Sequence, residues 1–190
     1  MFKQIRQFDL RITQYFAQHR FSPKAAKFFR SYVRLGDGYV WAFVILLVLW
    51  IYGIRDLLAV LGPVASAVFT CFALYWGVKL SIRRVRPFEL VPEILAEVPP
   101  LDKYSFPSGH TMNNLTIACV VFQAFPEIGW IMLILPLTWG MLRVYFGVHW
   151  FSDIIGGALF GVIAYFLSRP IYQFSVELIQ SLHYLTARVN

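Results

Sequence analysis

The sequence predicts an all-α integral-membrane bundle with about five transmembrane helices, six if part of 8–35 inserts, and amphipathic interfacial helices at its N-terminus. Three observations carry that expectation. Of 190 residues, 58% are hydrophobic and only 14% charged, whereas soluble domains carry about a quarter charged residues. The mean hydropathy is +0.61, and the apolar residues gather into runs near the roughly 20 residues a helix needs to cross a bilayer. Links of a few residues, at 53–56 and 126–127, separate successive runs and force neighbouring helices to be antiparallel. The length suits one helical domain over 1–190, with no room for a second.

In order along the chain, residues 1–35 are interrupted by charge at every turn and are expected at the interface. Phe2, Ile5, Phe8, Ile12, Tyr15 and Phe16 recur at three- and four-residue spacing, which makes one apolar helical stripe. Ser22-Pro23 then starts a second short helix with Ala26, Phe29, Tyr32 and Val33 on one face. Lys3, Arg6, Arg11, Arg20, Lys24, Lys27, Arg30 and Arg34 take the opposite faces. Such helices lie in the headgroup layer, apolar face toward the acyl chains; packing on the bundle as peripheral helices is the alternative. No cleavable signal is expected at the start. Gly36-Asp37-Gly38 is expected as a turn and helix start, with Asp37 within reach of the polar mouth derived below.

The apolar spans fall at 39–54, 57–81, 110–125, 128–146 and 150–168, a transmembrane core of 39–168. The first and third are short for a bilayer. The third opens with Asn113 and Asn114, so its first turn is expected to line a wet pocket. Residues 171–186 are weakly amphipathic and extend the last helix or lie on the surface. Cys71 and Cys119 sit inside apolar runs and read as small hydrophobes rather than a disulfide or metal pair. Only the connection 82–109 is long, and it holds most of the unusual chemistry.

Ionisable groups at membrane-helix ends are expensive, so their grouping is informative. On an antiparallel path, Lys79 ends the second span, His110 opens the third, Arg143 ends the fourth, and His149 with Asp153 opens the fifth. Topology alone therefore gathers Lys79, Arg86, His110, Arg143, His149 and Asp153 at one mouth. Three cations there can neutralise a phosphate and the charge spread over its oxygens during transfer. Pro107-Ser108-Gly109-His110 enters a helix, whose free amides and dipole favour an anion. Ser108 can add a hydroxyl, and Gly109 permits close backbone approach. His149 and Asp153, at i and i+4, share a helix face. The carboxylate can fix the ring's tautomer and leave the other nitrogen to attack, with His110 left to protonate the leaving oxygen.

Lys79-x6-Arg86-Pro87, Pro107-Ser108-Gly109-His110 and Arg143-x5-His149-x3-Asp153 together resemble the three signatures of the type 2 phosphatidic acid phosphatases, the PAP2 family. The resemblance covers residues 79–153 directly. It implies a lipid phosphatase in which His149 forms a phosphohistidine, Asp153 orients it, and His110 is the general acid that later activates water. Lys79, Arg86, Ser108, Gly109 and Arg143 would cradle the phosphate. It also implies no metal and no other cofactor. Leu142 departs from the family pattern, which usually places Ser before the arginine; the missing hydroxyl is expected to weaken phosphate contact or narrow substrate range. Arg83, Arg84 and Lys103 lie outside the signatures and either anchor the loop at the interface or meet a second phosphate.

The expected site is therefore a bacterial inner-membrane, multi-pass lipid phosphatase, with the bilayer and a lipid phosphate as its partners and no nucleic acid. Fourteen of the 17 Lys and Arg residues fall on the site side, against Arg55, Arg169 and Arg188; discounting six in and around the site leaves eight against three. The positive-inside rule then favours a cytoplasm-facing site, while many bacterial members of the family work on the outer side. Candidate substrates are phosphatidylglycerophosphate, phosphatidic acid, undecaprenyl pyrophosphate and other polyprenyl phosphates, and lipid A 1-phosphate. A lipid phosphotransferase using the same histidine is the alternative. A non-catalytic lipid-binding or transport module would be expected to lack one of the two histidines. The composition excludes a soluble haloperoxidase.

Overall fold

The computed structural model describes residues 2–189, leaving the side chains of Phe2, Leu182, His183 and residues 185–189 outside the description, so the stripe member Phe2 and the cation Arg188 fall there. The elements are α1 (Phe2–Gln18), α2 (Pro23–Arg34), a π-helical turn (Leu35–Tyr39), α3 (Val40–Ile51), α4 (Ile54–Ile82), the single turn α5 (Pro87–Leu90), α6 (Gly109–Ala124), α7 (Pro126–Tyr145) and α8 (Phe151–Val189). Among the described residues there is no strand. Ser22 caps α2, its Oγ accepting from Ala25 N at 3.4 Å, and Pro23 takes the first turn, where its missing N–H is harmless.

The turn expected at Gly36-Asp37-Gly38 is present as a kink, where α2 and α3 meet without a loop, so that Pro23–Ile51 follows on as one bent helical stretch. Gly38 (φ 119°) absorbs the kink, a conformation open to glycine at little cost. The Asn114 side chain holds the turn by donating to Gly36 O at 2.9 Å. Among the described residues, four stretches are long and apolar enough to cross a membrane: Pro23–Ile51, Ile54–Leu90, Pro126–Tyr145 and Phe151–Ser181. The fifth helix of the bundle, α6, has 16 residues, about 24 Å of helix. It is the central post, packed against α4, α7 and α8 with nine buried residues. A helix enclosed by others needs no apolar stripe facing lipid, which explains why its hydrophobic pattern looks short.

Small residues bring α8 against α6. A Cβ on Gly157 would stand 2.8 Å from Ser108 O, and one on Gly161 2.8 Å from Met112 O. Thr116 Oγ1 completes the seam by donating to Gly161 O at 2.9 Å. Such four-residue spacing of small residues lets helix backbones approach in membranes. Here it sets the start of α8 beside the start of α6.

α1 packs against α7 and α8, with Asp9 and Thr13 buried. Its basic residues Lys3, Arg6 and Arg11 stay exposed. Under α1 and α2 lies an apolar cluster of Val33, Val98, Tyr145, Phe146 and Val148, with Phe16, Phe29 and Leu142 packed on it. Leu142 thus contributes to packing. Leu142→Ser should cost roughly 1–3 kcal/mol of stability by removing apolar contact and burying a hydroxyl, read as a lowered unfolding midpoint in detergent; an unchanged midpoint with altered kinetics would reverse that assignment.

Candidate active site

The C-terminal ends of α4 and α7 and the N-terminal ends of α6 and α8 meet on one side of the bundle, closed over by residues 83–108. A cavity of about 300 Å³ opens there, lined by Arg86, Gly109, His110, Arg143 and His149, with Asp37, Tyr75 and Asp102. Asn113 and Asn114 line it too, as expected from their place in the first turn of α6. Trp41, Val68, Phe72, Leu101 and Ile117 form an apolar wall, and Val68 and Phe72 are exposed on the outside of α4.

The remaining sequence candidates stand one layer back. Lys79 is fully buried, its Nζ donating to Tyr75 Oη at 2.5 Å and Asp102 Oδ2 at 2.7 Å. Ser108 is also buried; its Oγ accepts from Thr111 Oγ1 at 3.3 Å and its amide donates to Asp153 O at 3.0 Å. The amides that α6's first turn leaves free for an anion therefore begin at Gly109. Leu142 is not among the cavity residues and faces the apolar cluster, so the expectation that it removes a hydroxyl from the pocket is replaced by a packing role.

His149 follows Gly147, whose φ of 75° and whose approach to Leu95 O, 2.6 Å from where a Cβ would be, demand glycine. Its Nδ1 stands 3.4 Å from Asp153 Oδ2, a long contact, and the same oxygen accepts Trp150 N at 2.8 Å. Asp153 Oδ1 accepts from Arg84 Nη1 at 2.6 Å. Burial pushes the His149 imidazole down to about 4, outweighing the hydrogen bond and charge of Asp153. The ring is thus neutral near pH 7, with Nε2 turned away from the carboxylate and able to act as a nucleophile.

Across the cavity, His110 Nε2 is paired with Asp37 Oδ1. Arg143 Nη2 stands 2.5 Å from the same ring nitrogen and 3.1 Å from Asp37 Oδ1. Arg143 Nη1 donates to Pro99 O at 3.1 Å, while its Nε is buried without a partner. Asn114 ties the turn to the helix by donating to both Gly36 O and His110 O, and accepts from Trp41 Nε1 at 2.7 Å. Asp37 therefore does reach the polar mouth, carried there by the kink.

Several residues that hold the site together escaped the sequence reasoning. Asp102 Oδ1 accepts from Arg86 Nη2 at 2.8 Å, and its Oδ2 takes Lys79 and the Tyr75 hydroxyl. Burial opposes its charge, but the hydrogen bonds from Lys79 and Tyr75 and the charges of Lys79 and Arg86 hold the carboxyl below its usual range. Arg84, assigned to loop anchoring or a second phosphate, instead bridges Asp153 and Asp9, with Nη2 2.6 Å from Asp9 Oδ2. Asp9 also accepts from Ser152 N at 2.9 Å and Ser152 Oγ at 2.6 Å. An aspartate on the apolar side of α1, between Phe8 and Ile12, was the one available signal. Arg83 and Lys103 remain exposed.

Comparison with known proteins places this geometry in a family. The model of the PAP2 superfamily matches residues 56–177. Over 95 residues the chain is 40% identical to the undecaprenyl-diphosphatase of Sulfolobus acidocaldarius, covering 49% of this chain and 46% of that protein. Over 106 residues it is 31% identical to phosphatidylglycerophosphatase B of Bacillus subtilis, covering 46% of each. The chain thus spans less than half the length of either relative. Among solved structures, Aquifex aeolicus LpxE superposes with a TM-score of 0.68 at 29% identity, covering 84% of this chain and 93% of that one. The PAP2-type phosphatidylglycerolphosphate phosphatase of Bacillus subtilis shares the fold, with a TM-score of 0.65 at 24% identity over 90% of this chain and 87% of that one. With the family model matching well over half of its length, this multi-pass helical membrane chain belongs to the PAP2 superfamily.

Proposed function

We propose that the protein is a membrane lipid phosphatase that cleaves a phosphomonoester or the terminal phosphate of a lipid diphosphate through a phosphohistidine on His149. The observation that carries this reading is a single cavity with two histidines and two arginines on its floor and an apolar wall along α3, α4 and α6. Such a cavity accepts a phosphate at one end and the start of a lipid chain at the other. Val68 and Phe72, exposed on α4 at the rim of the cavity, are where a lipid chain would reach in from the bilayer.

In this mechanism His149 Nε2 attacks phosphorus, and the bond to the lipid oxygen breaks as His110 gives that oxygen a proton. Arg86 and Arg143 hold the equatorial oxygens, where charge builds, with Arg143 Nε the donor still free for one of them. Lys79 adds its charge from behind. Asp153 supports the imidazole as it becomes cationic, and the 3.4 Å contact shortens as it does so. Water, deprotonated by the now neutral His110, then attacks the phosphohistidine and releases inorganic phosphate and free His149. The protein's own cations supply the electrostatic stabilisation, so the reading includes no metal. The related diphosphatases and phosphatidylglycerophosphatase set the substrate classes to try first.

The decisive measurement is phosphate release by purified protein from phosphatidylglycerophosphate, phosphatidic acid, undecaprenyl pyrophosphate and lipid A. His149→Ala and vanadate should abolish release. His110→Ala should lower kcat by about 10²–10⁴-fold. A folded wild-type chain that releases nothing from the panel, but moves phosphate onto an added acceptor lipid, would replace hydrolysis by phosphotransfer. Excess chelator should leave the rate unchanged; a rate lost on chelation and restored by a divalent cation would remove the metal-free part of the mechanism.

We place the site at the cytoplasmic face of a bacterial inner membrane, because most Lys and Arg residues lie on the site side. As α8 starts at the site and runs away from it, a topology reporter fused to the C-terminus should read as periplasmic. A cytoplasmic reading would put the site on the outer face.

A further inference from the structure

We propose that Asp102 is an internal stand-in for the substrate phosphate, seated on the cradle cations in the resting protein and displaced when a phosphate dianion enters. It would thereby favour dianionic phosphate ends over the singly charged phosphodiesters of the surrounding bilayer. This rests on the phosphatase reading for its substrate, though not for its geometry.

The geometry begins with paired oxygens. Asp102 Oδ1 sits 2.8 Å from Arg86 Nη2 and Oδ2 sits 2.7 Å from Lys79 Nζ, so one carboxylate spans two cations as two phosphate oxygens would. The two cations cannot withdraw. Lys79 and Arg86 are essentially inaccessible, and Arg86 is fixed further by donating to Val148 O at 2.6 Å and Tyr104 O at 3.0 Å. Asp102 can move. Its loop is pinned on one side at Glu97, which takes Arg20 at 2.7 Å and Arg30 at 2.9 Å, and on the other by Ser105 N donating to Arg84 O at 2.8 Å. Between those pins the backbone is also held, at Pro99 O by Arg143 and at Asp102 O by Arg86 at 2.9 Å, so it is the Asp102 side chain that swings, and with Leu101 and Lys103 exposed that swing unpacks no core.

Charge gives the exchange its direction. Lys79, Arg86, Arg143 and the protonated His110 of the proposed mechanism face Asp37, Asp102 and Asp153, four against three. A dianion added beside Asp102 would leave one uncompensated negative charge in a buried site, whereas one that displaces Asp102 leaves none. A phosphodiester monoanion that displaces Asp102 merely replaces one charge by another, leaves the excess positive charge and gains nothing electrostatically. Bulk phospholipid headgroups are therefore poor competitors for a cradle that is already filled.

The test uses the purified full-length chain in detergent with inorganic phosphate and diethyl phosphate as probes, measured by calorimetric titration. Asp102→Asn, which keeps shape and removes the charge, should bind inorganic phosphate about tenfold tighter and diethyl phosphate measurably where the parent chain does not. Equal or weaker phosphate binding by the folded variant would overturn the proposal and make Asp102 a residue that orients Lys79 and Arg86. Should the variant fail to fold, limited trypsin digestion of the unaltered chain decides. Phosphate should speed cleavage after the exposed Lys103, next to the displaced Asp102, and unchanged or slower cleavage there would equally sink the idea. Tighter phosphate binding by the variant, with no release from any lipid by the parent chain, would support the displacement and refute only the lipid-phosphatase reading.

Discussion

Three cations buried at one end of a membrane bundle are the constraint on which the rest of the site depends. Lys79, Arg86 and Arg143 are each at most 3% exposed. An uncompensated charge in such a place costs several kcal/mol, so every neighbouring element must supply counter-charge or carbonyls. The long loop does so twice, through Asp102 and through the carbonyls of Pro99, Asp102 and Tyr104. The link before α8 adds Val148 O, and the kink before α3 adds Asp37. Of these groups, Asp102 is the one that the proposed displacement would exchange for a phosphate, which would tie folding energetics to phosphate binding.

That constraint also shapes the bundle. A central helix carrying His110 at its first turn must be short enough to leave room for an aqueous pocket above it and enclosed enough to need no lipid-facing stripe. The 16 residues of α6 satisfy both. The Gly157 and Gly161 seam then brings α8 close enough for His149 and His110 to share one cavity.

Much of this was legible in the sequence because it follows from order and period. Short links make the spans antiparallel, and antiparallel order alone sends His110, Arg143, His149 and Asp153 to the same end. The illegible parts depend on irregular backbone or on distant pairing. Asp102 lies in a loop with no period, and nothing local indicates that its side chain folds back 23 residues to Lys79. Asp37 was legible as a turn residue within reach of the mouth, but its pairing with His110 and Arg143 was not, because the π-helical kink that carries it there has no periodic signal. Leu142 was legible as a departure from a motif but not as to its direction, because one residue's rotation about α7 separates the Arg143 face from the apolar cluster.

The pairing of Asp9 with Arg84 shows why a helix outside the spanning core belongs to the site. Asp153 is pulled two ways: Oδ2 toward His149 and Trp150 N, and Oδ1 toward Arg84. Arg84 alone would be a strong cation beside an imidazole that becomes positive in the proposed mechanism, and would oppose that step. Asp9, fully buried on α1, takes the other end of the guanidinium and the Ser152 amide and hydroxyl. The cation is thereby neutralised while its hydrogen bond to Asp153 is kept, so orientation survives without the repulsion. α1 thus closes the electrostatics of the proposed catalytic pair from outside the bundle, while Lys3, Arg6 and Arg11 stay exposed on its outer side.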